Sequence, residues 1–126
     1  MKHCTSIEQS KRLLELGLSP ETADMVYIMF DGKPLNGDAE LNTVFESKDN
    51  KWYWIDFIDG SWNVCEEDVV CWSLAALLSV MPSASLVSSD DHHYRLYCME
   101  RFTEWYDNAI DACVDMIEKL HEQNSL

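Results

Sequence analysis

"KWYWIDFIDGSWNVCEEDVVCWSLAALLSVMP", residues 51–82, changes its hydrophobic period part-way, and that change decides the fold class. In its first part Trp52, Trp54 and Asp56 alternate with Tyr53, Ile55 and Phe57, the period of two of a β-strand, with bulky residues on both faces. Asp59 and Gly60 are a hairpin signal, with 61–65 as the returning strand. From Trp72 onward the period lengthens. Leu74, Leu77, Leu78 and Met81 fall at i, i+3, i+4 and i+7, one face of a helix, and Pro82 stops it.

Toward the N-terminus, Thr5 followed by Glu8 has capping-box spacing and predicts a helix over residues 6–16. Ile7, Leu13, Leu14 and Leu16 form its apolar side, and Gly17 stands where a helix-ending glycine belongs. Ser19 before Pro20 predicts a single helical turn. Residues 25–30 read as a strand ending in a turn at 31–34, and 43–46 as a short strand inside the turn-rich segment 35–50. Toward the C-terminus, 85–89, 92–99 and 101–106 read as strands, with turns near Asp90 and Glu100. A last helix over 109–122 is capped by Asp107 or Asn108, with Ile110, Cys113, Val114, Ile117 and Leu120 as its apolar stripe. This order predicts an α+β fold in one domain over residues 1–126, an antiparallel sheet of hairpins with about three helices packed on it.

The chain has 126 residues, enough to bury a core without disulfide or metal staples. Residues 69–89 are nearly uncharged, but Pro82 and the serines break them, so they fail as a membrane span. The N-terminal residues lack the apolar run of a signal peptide, which predicts a cytoplasmic protein, in the cytosol of a host cell. Cys4, Cys65, Cys71, Cys98 and Cys113 are an odd set and read as reduced thiols. Twenty-three acids against nine bases give a net charge of −14. That field argues against direct nucleic-acid or anionic-membrane binding and attracts basic partners. Homo-oligomerisation stays open.

Motifs for chemistry are sparse. The glycines match neither a dinucleotide nor a phosphate-loop pattern. Cys65 and Cys71 lack zinc-knuckle spacing, and His92 and Cys98 lie about 20 Å apart on an extended strand at roughly 3.3 Å per residue, too far to share one ion. No metal, no cofactor, no catalytic residue and no enzymatic activity are expected. Two surfaces remain. Asp107, Asp111, Asp115, Glu118 and Glu122 recur at helical spacing opposite the apolar stripe of the last helix. Like charges so placed cost helix stability, so the ladder suits docking to a basic protein surface; the plain reading is a solvated face. Alternatively Trp52 and Trp54, with Arg95 and Arg101 as cations, would stack a nucleotide-type ring; the plain reading is that these tryptophans cover the sheet.

"CTSIEQSKRLLELGLSPETADMVY" at 4–27, "CWSLAALLSVMP" at 71–82 and "DNAIDACVDMIEKLHE" at 107–122 resemble a family of small uncharacterised proteins. That family is common in phages, prophages and other mobile elements of gut anaerobes. The most specific signatures are "TADM", residues 22–25, and the "WSL" and "ALL" run before Pro82. The resemblance carries over no catalytic residue. It implies a phage-type accessory protein that inhibits or modulates a host protein by stoichiometric binding, with a small-ligand sequestering protein as the alternative.

Overall fold

The computed structural model describes residues 2–34, 37–41, 44–46, 52–55, 58–64 and 67–122. The first helix, α1 (Ile7–Glu15), begins one residue later than Thr5 and Glu8 suggest. Ser6 accepts from the Gln9 amide at 3.1 Å and Gln9 Oε1 accepts from the Ser6 amide at 3.0 Å, a complete capping box. Thr5 is unavailable as a cap because it is fully buried, where its hydroxyl meets Ser10 and accepts from the Trp72 amide. At the other end Gly17, at φ +100°, lets the Gly17 and Leu18 amides reach back to the carbonyls of Leu14 and Leu13. Ser19 caps the single 3-10 turn Pro20–Thr22 as its sequence predicts.

Small antiparallel sheets follow. The strand predicted over 25–30 breaks at Ile28 into β1 (Met25–Tyr27) and β2 (Met29–Phe30). Asp31 and Gly32 turn β2 into β3 (Lys33–Pro34). Next come β4 (Glu40–Leu41), β5 (Val44–Glu46), β6 (Trp52–Ile55) and β7 (Trp62–Val64), with β6 central in the order β5-β6-β7. Then comes β8 (Val69–Cys71), which lies beside β1 in the order β4-β1-β8. The sequence reading missed β8. All three of its residues are buried, so it shows no alternation, and the acids before it mimic a turn. The part of the predicted strand and hairpin at 56–57 and Cys65 lies outside the described residues.

The remaining elements are α2 (Leu74–Ser79), β9 (Ser85–Ser88), β10 (Tyr94–Cys98), β11 (Arg101–Phe102) and α3 (Ala109–Glu122), with a sheet ordered β11-β10-β9. Three α-helices and several antiparallel sheets among the described residues make this an α+β fold. The principal core joins Leu13 of α1, Val70, Trp72, Leu77 of α2, Leu96 of β10 and the whole predicted stripe of α3. Cys4, Met25, Tyr27, Val69 and Cys71 form a smaller cluster against β1 and β8.

A hydrogen-bonded latch joins two segments distant in sequence. Trp72 Nε1 donates to Thr22 Oγ1 at 2.9 Å, and the Ser73 amide donates to Asp24 Oδ1 at 2.9 Å. The Ser73 hydroxyl donates to Asp24 Oδ2 and accepts from the Ala76 amide, capping α2. The "TADM" and "WSL" signatures therefore meet in space. Thr22 and Asp24 hold the start of α2, which is a structural use of both.

Candidate interaction surface

Part of the acidic ladder of α3 is a seam between helices. Asp111 receives Lys2 Nζ at 2.7 Å, Gln9 Nε2 at 2.8 Å and Asn108 Nδ2 at 2.8 Å, which ties α1 and the N-terminal residues to α3. Burial pulls its carboxyl upward, but these hydrogen bonds win and hold it below the usual carboxylate range. Asp115 accepts from Tyr106 Oη at 2.9 Å and pairs with Lys119 at 3.1 Å, while Glu118 lies 3.9 Å from Arg12. Burial, then the bond to Asp115, pushes the Tyr106 hydroxyl up to about 12. Asp107 and Glu122, at the two ends of the ladder, are exposed. Spacing placed these acids in one sector and set Lys119 four residues after Asp115, but Lys2 and Arg12 come from the N-terminal residues and α1, which spacing cannot show.

The residues proposed for ring stacking are not brought together in one sheet. Trp52 and Trp54 stand on β6, whereas Arg95 and Arg101 stand on β10 and β11. Trp54 is buried, with its indole N–H donating to Asp68 Oδ2 at 2.7 Å, and Trp52 packs half-buried against the principal core. Asp68 also accepts from the Met29 amide at 2.9 Å, so one carboxylate ties β2 to β6.

Arg95 belongs to a different arrangement. Leu96 and Cys98 of β10 are buried on the side that meets α3, so Arg95 and Tyr97 point to the opposite face. There the Arg95 guanidinium lies 4.0 Å from the Phe102 ring centroid and 4.5 Å from that of Trp105. Tyr97 packs on Phe102 with centroids 4.7 Å apart. Arg95 Nε is buried without a hydrogen-bond partner and among the described residues no carboxylate pairs with the guanidinium, which lies against the two rings. Phe102 and Trp105 are 49% and 44% exposed, high for rings at the centre of a structured face. Exposed carboxylates lie in the turns around them: Asp90, Asp91, Glu100 and Glu104. Trp105 shares a shallow depression of about 340 Å³ with Ser89, Asp91 and His93.

The β10–β11 turn is strained. Met99 and Glu100 both have positive φ, at 52° and 66°, where a two-residue hairpin normally uses Asn-Gly or Asp-Gly. The sequence signals the turn but not this face, because Trp105 lies beyond the strands and meets Arg95 only after the chain folds back. Tyr106 then pairs with Tyr94 through reciprocal backbone bonds of 2.7 Å.

Four cysteines, Cys4, Cys71, Cys98 and Cys113, are buried free thiols. A hydrogen bond from Cys71 draws the Cys4 thiol down to about 7 against the effect of burial, and the same contact raises Cys71. Burial alone pushes Cys113 up to about 12. Among the described residues no group of three or more His, Cys, Asp or Glu side chains is placed to hold a metal ion. Among them, too, no helix is long and apolar enough to cross a membrane. Compared with known proteins, the chain matches no family model, no curated protein and no solved structure.

Proposed function

We propose that this protein acts by stoichiometric binding to another protein, using the outer face of the β11-β10-β9 sheet. The observation that carries this reading is the Phe102–Arg95–Trp105 stack: exposed aromatic rings and a cation, fixed in place before any partner arrives. Binding energy in protein interfaces concentrates in Trp, Tyr and Arg at a dry centre ringed by polar groups. Here the ring of polar groups is acidic, and the whole chain carries a net charge of −14. The complementary partner therefore presents an apolar patch inside a basic rim, and the acidic field accelerates encounter at low salt. Inhibition or modulation of a host protein, as the phage-type resemblance implies, is the activity such a surface suits.

The acidic ladder contributes less to this reading than the aromatic face, because Asp111, Asp115 and Glu118 already have cationic neighbours. Asp107 and Glu122 remain available for steering. The test is capture of the partner by the full chain, followed by titration calorimetry on variants. Trp105→Ala and Phe102→Ala should each weaken binding by about 2 kcal/mol, roughly 30-fold. Trp62→Ala, on the open face of the middle sheet, should change it less than about threefold. The reverse pattern would move the interface to β5–β7, and equal insensitivity would end the proposal.

A further inference from the structure

Among the described residues, no strand pairs with the outer edge of β9 in the same sheet. Ser89 N donates to His93 O at 2.9 Å, so the pairs Val87–Arg95 and Ser85–Tyr97, two and four residues back, also face each other through hydrogen bonds. The opposite edge of β10 agrees: Tyr94 exchanges backbone bonds with Tyr106, and Leu96 O accepts from Thr103 N. The N–H and C=O groups of Leu86 and Ser88 therefore point away from β10. Both residues are exposed, and among the described residues nothing pairs with this edge of β9. Natural edge strands are commonly blunted by charge, proline or a bulge. The β9 sequence Ser85-Leu86-Val87-Ser88 has none of these. Beneath it lies a cleft of about 550 Å³, lined by Leu74, Leu86, Tyr94 and Ile110, with Lys2 and Asp107 among its polar groups.

We infer that β9 takes up an extended basic segment of the partner as a further strand, one set of its alternate side chains entering the cleft. This deepens the proposed function and rests on the reading of this sheet as the binding surface. Strand addition derives affinity from main-chain hydrogen bonds and specificity from pockets for alternate side chains; the outward groups of Leu86 and Ser88 offer the first, and the cleft beside Leu86 offers one such pocket. A second copy of the chain is the poorer occupant, because pairing β9 with itself would bring two charges of −14 together. Asp90 and Asp91, in the turn leaving β9, supply attraction for a basic strand instead.

The probe is an eight-residue peptide alternating lysine with valine or leucine, at 150 mM salt. Its control keeps the same lysines but carries proline at two alternate positions, so its charge is equal and it cannot pair as a strand. Amide exchange read by NMR should slow at least tenfold at Leu86 and Ser88 with the peptide and stay unchanged with the control. Ser88→Pro, which removes one outward N–H, should weaken the peptide at least tenfold. N-methylation of the peptide's pairing amides asks the same question without altering the protein. Equal binding of peptide and control, or binding without protection of Leu86 and Ser88, overturns the inference. So does a β9-paired dimer of the chain alone. If Leu86 and Ser88 are protected while Trp105→Ala leaves the captured partner's affinity intact, the outer-face reading fails and the edge stands. If Trp105→Ala matters and the amides stay unprotected, the edge alone fails.

Discussion

Trp72 and Trp62 are ten positions apart in the sequence and sit in opposite surroundings. Trp72 is fully buried, its indole N–H donating to Thr22, in a unit where α1, β8, α2, β10 and α3 share one core. Trp62, 59% exposed, stands on β7 of the middle sheet; Ile58, in the β6–β7 connection, is 98% exposed, and Phe30 on β2 is 69% exposed. The first region is tied by contacts between residues far apart in sequence, such as Asp24 with Ser73 and Asp111 with Lys2 and Gln9. Of the middle strands, β2–β3 and β5–β6–β7 pair mainly with their sequence neighbours, and Asp68 joins them to each other. Long-range pairing is what differs, and that sets where a substitution is felt.

The largest expected effect tests this difference directly. Trp72→Ala should destabilise by about 3–5 kcal/mol in denaturant titration, because it leaves a cavity in the principal core and removes the indole bond to Thr22. Trp62→Ala should cost less than about 1 kcal/mol. Equal costs would erase the distinction. Next comes the latch. Asp24→Ala removes two acceptors at the start of α2 and should cost about 1–3 kcal/mol. A double-mutant cycle with Ser73→Ala should show the losses to be non-additive, since both substitutions break the same contact.

A gain is expected at the strained hairpin. Replacing Met99 by Asn and Glu100 by Gly should raise stability by about 1–2 kcal/mol, because both positions have positive φ. Unchanged stability would show that the turn relaxes in solution. The helix seam should respond to pH. Asp111 is held below the usual carboxylate range, so its stabilisation is complete above about pH 5 and is lost as pH falls through the lower, folded-state value. Asp111→Asn should therefore cost about 1 kcal/mol at pH 7, with the difference from the parent shrinking toward zero in acid. A constant difference would mean that the amide replacement, and not the charge, is what matters. The smallest effect on stability is expected on the outer face of the C-terminal sheet. Trp105→Ala should shift the unfolding free energy by less than about 1 kcal/mol, the scale of an exposed cation–π contact. A cost as large as that of Trp72→Ala would make this face part of the core rather than a contact surface.

Much of this was legible from local pattern. The α3 stripe, the Gly17 stop, the Ser19–Pro20 turn and the turns at Asp59–Gly60 and near Glu100 depend on residues within a few positions of each other. Their periodicity or turn chemistry is written in the letters. The errors came where distant segments compete for the same group. Thr5 reads as a helix cap, but Trp72 and Ser10 claim its hydroxyl and Ser6 takes the cap. Val69–Cys71 shows no alternation to mark it, but burial and pairing with β1 make it the strand at one end of the β4-β1-β8 sheet.

The sequence by itself determined the α+β class, the reach of the long helices and the strong acidity, because secondary structure and net charge are sums over local terms. Only tertiary structure decided which carboxylates of α3 are tied into the α1 seam and which stay exposed. It also decided that Arg95 lies against two rings, and that no strand among the described residues pairs with one edge of β9. Those outcomes depend on which groups arrive within a few ångströms of each other after the chain has turned back on itself, and no periodicity along the chain encodes that distance.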